Sequence, residues 1–221
     1  MKKSVYSLVL DDGVVQAVDR LTAARNTSRS ALINRILAEY LSLATPEQRM
    51  RDIFDQLEKM VEREEAFQLL LQPSEAMLSI RSALHYRYKP SIRYCVQLYP
   101  QTETAMGELR VTLRSQSPQL LGALDGFFHL WAALEQETVA PRLPGGRVRC
   151  LIEDGRFTRI FVLPGESAHT HQQLGRAIAA YVRMLDSLLK LYFYHLEDAP
   201  EAVRQLQKAY AACIKKEMLI I

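Results

Sequence analysis

The sequence predicts an α+β protein made of a small N-terminal module, a helical connector and a C-terminal antiparallel sheet of about five strands covered by helices. Three observations carry that prediction. Val5-Tyr6-Ser7-Leu8-Val9-Leu10 alternates like a short strand and runs straight into two helical apolar patterns. Thr45-Pro46-Glu47-Gln48 opens a heavily charged helix. From Met77 to Leu163, short alternating segments are separated by turn signals, with helical repeats between and after them. The segments are 1–44, 45–72 and 73–221.

The opening strand places Tyr6, Leu8 and Leu10 on one face and Lys3, Val5, Ser7 and Val9 on the other. Such a strand cannot satisfy its own backbone, and the nearest partner is another copy of itself. Asp11 and Asp12 put negative charge at a helix start, where exposed amides favour it. Val14, Val15, Val18 and Leu21 follow at helical spacing, and Asn26 suits the left-handed end of the helix. Thr27 or Ser28 then caps a second helix whose apolar face carries Leu32, Ile33, Ile36, Leu37, Tyr40 and Leu41.

With Lys2-Lys3, alternating Tyr6-Leu8-Leu10, the acidic helix entry and Thr27-Ser28-Arg29-Ser30-Ala31-Leu32-Ile33, this stretch resembles the ribbon-helix-helix family of DNA-binding proteins, the Arc, MetJ and CopG type. The resemblance covers about one fifth of the chain. It implies a two-fold homodimer whose paired strands lie in the major groove of double-stranded DNA. Lys3, Val5 and Ser7 would then face the bases, with Val9 at the far end of the ribbon. Lys2, Ser28, Arg29 and Ser30 would hold phosphate, the last three at a helix start. Tyr6, Leu8, Leu10, Val18, Leu21, Ile33, Ile36 and Leu37 would form the dimer core. The family usually turns Arg, Lys, Asn, Gln or Thr to the groove, whereas Val5 and Val9 stand here. Valine touches a thymine methyl but reads no hydrogen-bond pattern, so discrimination by this ribbon is expected to be weak or A·T-biased.

In the connector, Met50, Ile53, Leu57 and Met60 recur at alternating three and four, and Phe67 and Leu71 continue the register. The seam fits either a helix laid along its own domain or a dimeric coiled connector. Beyond Ser74, Met77 to Tyr88 alternates loosely, Ile92 to Leu98 cleanly, and Leu109 to Leu113 again. Ser117-Pro118 starts a helix with Leu120, Leu124, Phe127, Trp131 and Leu134 on one face, and Pro144-Gly145-Gly146 reads as a turn. Val148–Ile152 and Phe157–Leu163 form a hairpin around Asp154-Gly155, followed by a long helix over about 168–196 and a shorter one beyond Pro200. The order of strands and helices hints at a degenerate repeat without residue identity.

At 221 residues the chain is long enough for a small module and a second domain with its own core. A formal charge of +3 is too small for a whole-surface field, so affinity for nucleic acid must come from local placement of charge. Cys95, Cys150 and Cys213 are odd in number and widely spaced, which fits a reducing compartment. No signal peptide or membrane-spanning run is expected, and the resemblance points to the cytoplasm of a prokaryote.

Chemistry in the second domain is sparse. His169 and His171 stand two apart, a spacing that splays them on a helix, and His85, Cys95 and Cys150 do not complete a ligand set, so neither metal nor cofactor is expected. Phosphate loops, nucleophile elbows and paired catalytic carboxylates are not found. Arg81, Arg87, Arg93, Arg110, Arg114, Arg147, Arg149, Arg156 and Arg159, interleaved with Tyr86, Tyr88, Tyr94 and Tyr99, fit a solvated sheet face or one that binds an anion or nucleic acid. The leading expectation is a dimeric DNA-binding regulator whose C-terminal domain takes a small ligand or protein partner. A dimeric scaffold or antitoxin-like protein, its ribbon serving dimerisation only, is the second, and an enzyme is not expected.

Overall fold

The computed structural model describes the whole chain except residues 1–6, 26, 41–44, 71–73, 87–88, 101–104, 154, 163–168 and 215–220. It divides into two compact units, Met1–Arg49 and Met50–Ile221.

In the first unit, helix α1 spans Asp12–Arg25 and helix α2 spans Arg29–Tyr40. The Asp11 carboxylate accepts from the Gly13 N–H at 2.8 Å, which satisfies one of the orphan donors at the α1 start. Ser28, rather than Thr27, caps α2, its hydroxyl accepting from the Ala31 N–H at 3.2 Å. Residues 7–11 precede α1 without strand pairing in the single chain. Lys2, Lys3, Val5, Tyr6, Asn26 and Leu41 lie outside the described residues.

The second unit holds one antiparallel six-stranded sheet in the order β1-β2-β3-β4-β6-β5. Its strands are β1 (Phe67–Leu69), β2 (Met77–Ala83), β3 (Ser91–Leu98), β4 (Ala105–Leu113), β5 (Cys150–Glu153) and β6 (Arg156–Val162). Helix α3 (Pro46–Arg63) runs into this unit, α4 (Pro118–Thr138) separates β4 from β5, and α5 (His171–Tyr194) and α6 (Ala199–Ile214) follow the sheet. The α+β class and the antiparallel sheet agree with the sequence, and the sheet has six strands where about five are expected. Both groups of strands join one sheet through β4 and β6, so no repeat of separate sheets results.

The additional strand is β1, and it replaces what the spacing reads as helix. Phe67 continues the seam of α3 on paper, but α3 stops at Arg63 and Phe67 pairs with Ser82 on β2. The seam itself is buried in its own domain: Met50, Ile53, Phe54, Leu57 and Met60 join the core that the sheet shares with α4, α5 and α6. That is the behaviour of a helix laid along its own domain, not of a coiled connector. The contact of α3 with α5 is backbone-close. A Cβ on Gly175 would stand 2.7 Å from the Ile53 carbonyl oxygen, so only glycine fits there.

Local signals set the other ends. Ser117 caps α4 through the Leu120 N–H and Pro118 takes the first helical position. Thr170 and Gln173 form a capping box that starts α5 at His171, three residues later than the spacing suggests. Gly155 has φ of 70°, the conformation that the β5–β6 hairpin turn requires and glycine supplies freely. Inward residues of the strands, including Leu78, Ile80, Ile92, Tyr94, Val96, Leu109, Val111, Phe157 and Phe161, meet Leu120, Phe127, Phe128, Trp131, Ile178, Leu185 and Leu189 of the helices. No helix among the described residues is long and apolar enough to cross a membrane.

Candidate nucleic-acid interface

The first unit leaves its apolar faces outside. Val18 and Leu32 are buried, whereas Leu8, Leu10, Leu21, Ile36 and Leu37 are exposed and Ile33 is half-buried. Of the described large apolar residues that are exposed anywhere in the chain, eight of eleven fall between Leu8 and Tyr40. The unit therefore carries more apolar surface than one copy can bury.

Three of the four expected phosphate contacts stand at the start of α2, and the fourth, Lys2, lies outside the described residues. Ser28, Arg29 and Ser30 are exposed, and Ser7 is exposed ahead of α1. Arg29 is held: its Nη2 donates to the Asp19 carboxylate at 2.6 Å and its Nε makes a second contact with the same group. The hydrogen bond from Arg29 holds the Asp19 carboxyl below its ordinary value and reciprocally raises the guanidinium. Arg29, expected as a phosphate ligand, thus already holds an anionic partner within its own unit. Asp19 sits at helical spacing from Val15 and Thr22, and nothing in local spacing joins it to a residue ten positions later across a turn.

The second unit concentrates its buried polar groups between sheet and helices. Arg159 points inward between Phe157 and Phe161 and lies 3.3 Å from Glu135 of α4, both groups about 1% exposed. The Tyr181 hydroxyl donates to Glu135 at 3.0 Å, and Trp131 Nε1 donates to Tyr181 at 3.0 Å. Burial pushes the Glu135 carboxyl up, partly offset by the Arg159 guanidinium. A second group ties α5 to the sheet, with Tyr94 donating to Asp186 at 3.0 Å and Lys190 donating to Asp186 and Ser82, each at 2.7 Å. Arg159 and Tyr94 are thus corrections to an outward sheet face of Arg and Tyr, because strand alternation turns both into the core. Both groups join layers of the fold, and in the first the approach of Arg159 Nε to Glu135 is an ion-pair contact that leaves this buried nitrogen without a hydrogen bond among the described residues.

His171 opens α5 with its Nδ1 3.4 Å from Asp52, while His169 precedes the helix. Among the described residues, no group of three or more His, Cys, Asp or Glu is placed to hold a metal. The three cysteines are free thiols. Comparison with protein-family models, with curated proteins and with solved structures finds no match.

Proposed function

We propose that the protein is a dimeric DNA-binding transcriptional regulator whose N-terminal strands pair across a two-fold axis and enter the major groove as an antiparallel ribbon. The observation that carries this reading is the exposed apolar set Leu8, Leu10, Leu21, Ile36 and Leu37 on a unit in which Val18 and Leu32 are buried. A second copy offers the same residues across a two-fold axis, as an isologous interface requires. Lys3, Val5 and Ser7 face the groove in this reading, Lys2 and the Ser28–Ser30 helix start hold phosphate, and the C-terminal domain serves a ligand or partner. The reading places the protein in a prokaryotic cytoplasm.

The test is selection of bound duplexes from a random pool with the full chain, followed by salt titration. A palindromic or tandem motif is expected, with affinity falling steeply as salt is added and weakened by Lys3→Ala and Arg29→Ala. Random recovery, or binding indifferent to both substitutions, would overturn it. One observation favours the scaffold reading as a second: Arg29 is already paired with Asp19, so its phosphate contact requires exchange of partners. In that case the protein dimerises and selects no motif.

A further inference from the structure

Strand alternation leaves one face of the six-stranded sheet outside the core. Residue pairing lines up a single row across all six strands: Gln68 on β1, Arg81 on β2, Arg93 on β3, Thr112 on β4, Arg156 on β6 and Glu153 on β5. Arg81, Arg93 and Arg156 are exposed. Arg81 and Arg93 stand directly opposite each other, a like-charge pair that costs stability unless something anionic lies over it. Arg81 donates to Gln68 and Arg93 to Ser79, and none of the three forms an ion pair among the described residues. Arg110, on the adjoining row, is by contrast committed to Glu108.

We propose that this sheet face binds the phosphodiester backbone of a nucleic acid, a site that stands independently of the N-terminal ribbon. Arg81 to Arg156 crosses three strand gaps, about 14 Å at the usual spacing, so a single phosphate cannot engage the row and a polyanion can. Guanidinium forks match phosphate oxygens in pairs, and each of the row's three cations is an arginine, with Glu153 opposite Arg156 marking the anionic end of the row. A second copy is excluded as occupant by charge: laid antiparallel, the row sets Arg81 over Arg156, and laid parallel it sets each arginine over itself. An acidic protein is disfavoured because the arginine row carries no aromatic anchor of the kind interface centres use, the nearest aromatic on this face, Tyr99 past β3, being tied to Glu108. Since Tyr99 only borders the face and is held by Glu108, and the row itself carries no aromatic, the row's contact is to backbone and indifferent to sequence.

The test measures anisotropy of the full chain with random-sequence single-stranded RNA, single-stranded DNA and duplex DNA, each over a salt series. The arms identify which form of the backbone the face takes. Arg81→Gln/Arg93→Gln/Arg156→Gln is expected to lower the slope of log affinity against log salt by about 2–3 on the preferred form, and Arg156→Gln alone by about 1. Thermal unfolding of the triple variant is expected to be unchanged or raised, because the opposed pair is relieved. Lys3→Ala/Arg29→Ala is expected to leave this component in place on single strands, which separates failure of the ribbon from failure of the sheet face. Three results would overturn the proposal: no binding of any form at low salt, an unchanged slope in the triple variant, or poly-glutamate competing as well as an oligonucleotide of equal charge.

Discussion

Truncating Ile36 and Leu37 should take the proposed dimer apart while leaving the monomer folded. In one chain Leu10 is 40%, Leu21 41%, Ile36 43% and Leu37 46% exposed, so each still has roughly two-fifths of its burial to gain. Full burial of such a side chain is worth about 1.5–3 kcal/mol, which leaves about 1 kcal/mol for each to contribute on association. The eight side chains of two copies then supply about 8 kcal/mol, comparable with the ~4–15 kcal/mol lost in translational and rotational freedom. In the proposed dimer, ribbon hydrogen bonds and Leu8 would add the remainder, which leaves a narrow margin. Ile36→Ala/Leu37→Ala removes four side chains from that interface and should cost about 3–4 kcal/mol, a dimer weaker by about 10²–10³-fold. Sedimentation velocity over a concentration series reads this directly, as a shift of the monomer–dimer midpoint. Because both residues are exposed in the single chain, helical circular dichroism at high dilution should not change. A wild-type chain that stays monomeric throughout the series, or a variant that dimerises as tightly as wild type, would refute the reasoning.

The buried pair gives a second test. Arg159→Met alone leaves Glu135 without its counter-charge and should destabilise the C-terminal domain by about 3–5 kcal/mol, whereas Arg159→Met/Glu135→Leu should recover much of the loss, measured by denaturant unfolding. The carboxyl of Glu135 is raised on folding, so its contribution to stability is fully present below the ordinary unfolded value and is lost as pH rises through the folded one. The stability difference between wild type and Glu135→Gln should therefore shift against wild type as pH rises through the acid range, and an opposite slope would refute burial as the dominant cause. Gly175→Ala, with its Cβ 2.7 Å from the Ile53 carbonyl, should lower thermal stability by about 1–3 kcal/mol despite alanine's better helix propensity. An unchanged or raised melting temperature would show that α3 does not press on α5 there.

Capping chemistry was legible in the sequence where it is local. Thr45, Ser117 and Ser28 each accept from a backbone amide three residues on, as a helix start demands. The hairpin at Gly155 was legible for the same reason, since its turn geometry is fixed by adjacent residues. β1 was not, because Phe67 fits a helical seam and a strand equally and pairing with β2 decides the matter. Arg159 was misread by treating it as one of a set. Its alternation with Phe157 and Phe161 already places it inward, but Glu135, the group that makes burial tolerable, comes from a helix on the far side of the turn at Pro144. The Asp19–Arg29 pair joins two helices through a turn whose geometry sequence spacing does not specify.

The two units bury their apolar residues by different means, and the difference bears on what each does. In the second, helices α3 to α6 cover one face of the sheet and large side chains such as Trp131, Phe127 and Tyr94 are fully enclosed. Its remaining outward face is polar by strand alternation, so the unit needs no partner to fold. The first has two helices and no sheet among its described residues, and two helices enclose little. In the proposed regulator a second copy would therefore cover apolar surface that the folded single unit leaves exposed, as well as complete the ribbon. Loss of DNA affinity alone cannot separate the regulator from the scaffold, because monomerisation would abolish both. Lys3→Ala, which lies outside the proposed dimer core, carries that distinction most directly, whereas Arg29→Ala also removes the pair with Asp19 and needs the dimer checked alongside.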